Sequence, residues 1–392
     1  TFEVGLDIGF LQNRLSFILD FYSRRTKDLL TKQALPGYTG FSDIVTNMGT
    51  LRNSGFEAEV KANIINKGGF TWDMTANITS VANKIISLPY NNVENNRVGG
   101  YEVAAGKVDA DGKFPTKWIA GRQEGGKLGE LVGYRQQHVF KDWDDVKQHA
   151  NLRVDEVANL YGPGLADQIN PATGKTYKES SGWQPIEPGD ACWEDINGDN
   201  IINGYDRSVM GNIFPNVTGG FSTTFGYKGL SLYARFDYAL GHTLYNDLKA
   251  RSLGQYQGQF NIITDVKDMW SEANPNSDLT KFYYADQLAK KNITRSNNAS
   301  TAADNNSSRY YEKGDYLALR EITLSYQLPK SLISKAHLTE ASVYVTGQNL
   351  FYITGYDGVS PEPAVSTTYG RGIDNGRYPT PRTFLFGLSL TF

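Results

Sequence analysis

The stretch PRTFLFGLSLTF, residues 381–392, decides how the rest of the chain is read. Phe384, Phe386, Leu388, Leu390 and Phe392 fall on one parity; Thr383, Gly387, Ser389 and Thr391 fall on the other, with Leu385 the one misfit. A period of two builds a strand with one apolar face and one polar or small face. The other strands show what the apolar face lies against.

Four hairpins precede this strand. Residues 1–11, with Phe2, Val4, Leu6, Ile8 and Phe10 in phase, turn at QNR into 15–23, where Leu15, Phe17, Leu19 and Phe21 alternate with polar residues. Segment 54–64 turns through NKGG into 70–78, and 219–227 turns across Lys228 and Gly229 into 230–240. Segment 316–329 reaches 341–353 through KSLISKAHLTE. Short and long connections alternate without a break, the one between residues 23 and 54 counting as long. Strand direction reverses at each connection, so the short turns gather at one end of the sheet and the long loops at the other. That sorting marks an outer-membrane barrel, whereas a secreted sandwich or propeller has no reason for it. Strands of about ten to thirteen residues also suit a tilted bilayer crossing better than the usual five or six.

The expected fold is therefore all-β, an antiparallel transmembrane barrel whose apolar face meets lipid. Nine strands would leave an open edge in hydrocarbon, which a bilayer does not tolerate, and bacterial barrels carry even strand numbers. The chain also begins within a strand. Both points lead to the expectation of a C-terminal portion completed by strands not shown.

Composition agrees. With 392 residues and a net charge of −3, there is no broad basic field for nucleic acid. Cys192 is the only cysteine and the four histidines are scattered, so neither a disulfide framework nor a zinc pattern such as CxxC or HExxH is expected. Mean hydropathy of −0.45 argues against a helical membrane protein but not against a barrel, whose alternating strands average to a hydrophilic value.

With these elements placed, the sequence resembles the SusC/RagA-like family of TonB-dependent outer-membrane transporters typical of Bacteroidetes. The resemblance rests on NMGTLRNSGFEAEV (47–60), FTWDMTANIT (70–79), DINGDNIINGYDRSVMGNIFPNVTGGF (195–221), GDYLALREITLSYQLP (314–329), GQNLFYITGYDGVSPE (347–362) and YPTPRTFLFGLSLTF (378–392). It implies that residues 1–392 are the C-terminal part of a barrel of about 22 strands, with a long extracellular loop region at 84–214. The plug domain and the segment that contacts TonB would lie in an N-terminal part not in this chain. The family also implies a SusD-like lipoprotein lid and TonB-driven import of oligosaccharides, or of peptides. A secreted glycan-binding protein or adhesin is the reading from another class.

DINGDNIINGYD (195–206) has the spacing of a twelve-residue calcium loop. Asp195, Asn197, Asp199, the Ile201 carbonyl, Asn203 and Asp206 stand at positions 1, 3, 5, 7, 9 and 12. Position 6 is Asn200 rather than Gly and position 12 is Asp rather than Glu; Asx turns bonding backbone amides are the other account of these side chains. A structural Ca2+ is the expected cofactor. NPATGKT (170–176) lacks the first glycine of a phosphate loop and reads as a surface turn. Trp118, Trp143, Trp183, Trp193 and Trp270 sit in long-loop segments, where they could stack on sugar or, more simply, pack the loops or a lid protein. Asp357, Glu362 and Asp374 share one loop without a partner His or metal, so no enzyme activity is expected. Segment 143–162 reads as one or two short helices, and 295–309 as a mobile tip.

Overall fold

The computed structural model describes all residues except 36, 155–156, 159–185, 256–260, 262, 283–306, 363–364 and 367–369. Its main feature is a nine-stranded antiparallel sheet in strict sequence order: β1 (Phe2–Phe10), β2 (Leu15–Ala34), β3 (Asp43–Lys67), β4 (Phe70–Ser87), β5 (Val217–Tyr227), β6 (Leu230–Leu240), β7 (Tyr316–Gln327), β8 (Glu340–Thr354) and β9 (Thr383–Thr391). These are the nine strands read from the sequence. Each pairs only with its neighbours, and the outer edges of β1 and β9 carry no partner strand among the described residues.

Register fixes which side chains share a face. Val4 lies opposite Phe21, Phe21 opposite Phe56, Phe221 opposite both Ala76 and Phe236, Leu232 opposite Leu324, Leu324 opposite Val345, and Val345 opposite Phe386. These rows form a continuous apolar belt across all nine strands. Cross-strand rings reinforce it, with Phe221 and Phe236 stacked at 4.6 Å, Trp72 and Phe225 at 5.5 Å, and Phe21 and Phe56 at 5.1 Å between centroids. The belt is not a protein core: Phe21 on β2 is 56% exposed and Leu324 on β7 44%, although both strands are paired on either side. Such a surface is stable only against lipid. Leu385, the misfit, lies opposite Thr346 on the other face.

The short connections lie together at one end. Gly68 and Gly69, and Lys228 and Gly229, all have positive φ. This is what a two-residue turn matched to strand twist requires. Helical turns at Lys330–Ile333 and Ser334–Ala336 make the β7–β8 connection.

One expected long loop is instead mostly strand. The sequence reading ended β2 near residue 23 and began β3 near 54, but pairing continues from Arg24 opposite Asn53 to Ala34 opposite Asp43. Apolar alternation stops where the belt stops, at the bilayer surface. Backbone pairing continues beyond it as a hairpin wet on both faces, and no period marks that in the side chains. The strands here are accordingly 20, 25 and 18 residues long in β2, β3 and β4.

The hydrophobic core of the described residues lies mainly in the loops. Residues 88–216 bury Tyr134, Phe140, Val146, Ile186, Cys192 and Trp193 in one cluster and Val103, Ile119, Ala120 and Val132 in another. Short ribbons frame them: Glu130–Tyr134 pairs with Arg207–Asn212, and Gln136–Val139 with Ala191–Trp193. A third ribbon ties two further loops together, Thr243–Asn246 pairing with Tyr311–Lys313 and, in parallel, with Ile373–Asp374.

Candidate functional site

The face opposite the belt is the lumen wall. On β1–β4 it carries Glu3, Asp7, Asp20, Glu57, Glu59 and Asp73 against Arg24 and Lys61, spaced by Ser, Thr, Asn and Gly. Glu3, Asp20, Tyr22, Arg24, Asn53 and Glu57 line one concave patch of it. Glycines let rings lie flat on both faces. A Cβ at Gly219 would stand 2.3 Å from the Asn77 carbonyl oxygen and 2.5 Å from the Tyr238 hydroxyl, and one at Gly387 would stand 2.1 Å from the Tyr344 ring.

Toward the long-loop end, a bulge turns Arg320 onto this wall. Register skips Arg320 between Glu321 and Leu319 on both of its partner strands, and an extra residue re-aims its side chain. Its guanidinium pairs with Asp237 on β6 and Glu362 in the loop after β8, while Tyr352 Oη lies 3.0 Å from Nη1 and donates to Glu362 at 2.9 Å. His242 holds the same loop. It is buried, and its Nε2 lies 2.8 Å from the Pro361 carbonyl oxygen, which only accepts, so Nε2 carries the proton. Burial lowers the His242 pKa from 6.5, against the opposing pull of Pro361 and Asp315.

Each of the three carboxylates singled out between residues 356 and 379 has its own structural partner. Asp357 pairs with Lys249 and accepts from Asn246, Glu362 pairs with Arg320, and buried Asp374 accepts from the Tyr356 hydroxyl at 2.7 Å. Burial first, then this bond, raises the Tyr356 pKa. The set ties loops together, with Asp357 sharing the Lys249 ammonium with Glu312.

The 195–206 loop folds as a series of Asx turns. Asp195 accepts from Gly198 N–H (2.7 Å) and Asn200 N–H (2.8 Å), Asp199 from Ile201 N–H (2.7 Å), and Asn203 from Tyr205 N–H (2.8 Å). Asp206, 1% exposed, accepts from Ile196 and Asn203 N–H, and burial pushes its pKa up to about 6. Asn200 has φ +63°, the left-handed backbone that glycine usually supplies at this position.

Among the tryptophans, Trp193 is buried against Tyr134, Trp118 packs under the Arg97 guanidinium, and Trp270 donates to the Lys141 carbonyl. Trp143 opens helix α1 (Trp143–Gln148) and is 42% exposed. Trp183 and NPATGKT lie outside the described residues, as do parts of the two segments read as short helices and as a mobile tip. Within the latter segment, Ser307 is buried and opens a helical turn at Ser308–Tyr310.

Sequence reasoning missed one grouping. His138, His149 and Cys192 come together with their ligand atoms all within 4.8 Å of one another. Scattered in sequence, they meet because register sets Cys192 opposite His138 and α1 carries His149 back to them. The one legible signal was Asp145 and His149 at i, i+4 on a helix.

Comparison with known proteins accords with this architecture. Residues 1–177 match the family model described as TonB dependent receptor-like, beta-barrel. TonB-dependent receptor P3 of Formosa agariphila is 28% identical over 396 residues, covering 100% of this chain and 34% of the relative. TonB-dependent receptor SusC of Bacteroides thetaiotaomicron is 27% identical over 398 residues, covering 100% and 32%. The structure titled RagAB peptide transporter matches with a TM-score of 0.65 at 20% identity, covering 100% of this chain and 35% of that one. The chain thus spans about a third of the length of the relatives it matches. A lipid-facing belt and a polar inner wall, in a chain matched end to end by these relatives, are the architecture of a segment of an outer-membrane β-barrel similar to those of TonB-dependent receptors.

Proposed function

We propose that the complete protein imports oligosaccharides across the outer membrane, driven by TonB, with a SusD-like surface lipoprotein over the mouth that these long loops build. It is a transporter and not an enzyme. The observation that carries the substrate class is the chemistry of the wall. Ser, Thr, Asn and Tyr side chains interleave with carboxylates along β1–β4, where the acids outnumber Arg24 and Lys61, a surface that hydrogen-bonds a hydroxylated, uncharged ligand and repels an anionic one. Peptide import is the second reading, favoured by the fold shared with a structure titled as a peptide transporter.

Native mass spectrometry of the full transporter, extracted from its source membrane in mild detergent, tests this. A co-purifying lipoprotein and oligosaccharide masses are the expected result. Peptide masses select the second reading, and the absence of a lipoprotein overturns the two-component import model.

We also propose that residues 195–206 take a structural Ca2+. Two features support it: left-handed Asn200, and carboxylate oxygens of Asp195, Asp199 and Asp206 that each retain a lone pair beyond their amide bonds. Calcium should slow hydrogen exchange across 195–206 in the full transporter, and Asp199→Ala should abolish that response. Exchange indifferent to calcium rejects the site.

A further inference from the structure

We propose that His138, His149 and Cys192 bind a zinc ion that staples the long loop between β4 and β5. A thiolate with two imidazoles is a ligand set that zinc favours over calcium or magnesium. Zinc bonds of about 2.0–2.3 Å place tetrahedral ligands roughly 3.3–3.8 Å apart. The 4.8 Å limit on the present separations therefore leaves about 1 Å of side-chain adjustment.

Three independent features converge on these residues. Backbone register brings two of them together: Cys192 and His138 are direct cross-strand neighbours, so their side chains leave the ribbon on one face. The setting is graded from core to solvent. Cys192 is 1% exposed beside Phe140 and Trp193, while the two imidazoles are about a third exposed and give an ion its route in. Asp145 supplies the outer partner that zinc-binding histidines usually have. His149 Nδ1 lies 2.9 Å from the Asp145 carbonyl oxygen, and His138 Nε2 lies 3.3 Å from its carboxylate. With a proton on each of those nitrogens, the opposite ring nitrogens, His149 Nε2 and His138 Nδ1, are left to take the ion. Asp145 is itself held in place, accepting from Lys141 N–H at 3.0 Å, and Asp142 caps its helix.

Packing alone would also group these rings, since His138, Phe140 and His149 meet at 5.4–5.5 Å between centroids. The test must therefore read a metal bond. The full transporter, in detergent and stripped with a chelator, is titrated with Co2+. The expected result is a thiolate-to-cobalt charge-transfer band saturating at one equivalent, displaced by Zn2+, absent in Cys192→Ser and at least tenfold weaker in affinity in His149→Gln. X-ray absorption of the zinc-loaded wild type, which does not depend on a variant folding, should show one sulfur at about 2.3 Å and nitrogens at about 2.0–2.1 Å. No charge-transfer band, a band unchanged in Cys192→Ser, or a zinc shell without sulfur overturns the site.

Discussion

Gly219 and Gly387 are glycine because rings occupy the space a side chain would need. Gly219→Val drives atoms into the Asn77 carbonyl and the Tyr238 hydroxyl. It should destabilise the full-length barrel by about 1–3 kcal/mol, read as a lower temperature for loss of the compact band on semi-native gels. His242 is set by burial in a similar way. Its Nδ1 has no hydrogen-bond partner, and protonation would bury an unpaired donor. Because its folded pKa is lowered, the stability it contributes is present above the unfolded value of 6.5 and is lost as pH falls through the folded value. Acidification should therefore speed hydrogen exchange around 355–362, and His242→Gln should flatten that dependence. None of these three was marked in the sequence: a lone glycine or histidine announces nothing until register shows what lies across from it.

Among the elements, the loop after β8 is hooked to the wall by the Arg320 bridge to Asp237 and Glu362. The groups are about a fifth to a third exposed, so a double-mutant cycle of Arg320→Ala with Glu362→Gln should give a coupling near 1 kcal/mol. Exchange should rise in 355–362 and not in β5. The β2–β3 hairpin is the contrasting case. Its outer part contributes no row to the belt, so deleting residues 28–47 with a short turn in their place should leave barrel assembly intact by the same gel assay. The nine strands were legible because lipid on one side and a polar lumen on the other impose a strict period of two. The hairpin extension, the Arg320 bulge and the His138, His149 and Cys192 grouping were not. Each depends on pairing rather than period, and pairing partners are not neighbours in the sequence.

At the scale of the whole molecule, the lumen wall of β1–β4 sets a sign. On the proposed oligosaccharide import, replacing Asp20 and Glu57 with Asn and Gln in the complete protein should improve uptake of an anionic oligosaccharide relative to a neutral one, by roughly two- to tenfold, measured as competitive uptake in cells. An unchanged ratio would show that discrimination is made elsewhere along the route. The 88–216 region has a further consequence. It carries its own buried core, yet it leaves and re-enters the sheet through β4 and β5, which lie side by side with Val217 opposite Ser80. A region whose two ends sit on adjacent strands can be exchanged as a cassette when the β6–β7 loop that binds it, through Trp270 to the Lys141 carbonyl and Lys281 to Glu187, travels with it. Recombination between related receptors at these points would replace the long-loop end while the wall, the short turns at the other end and the apolar belt stay as they were.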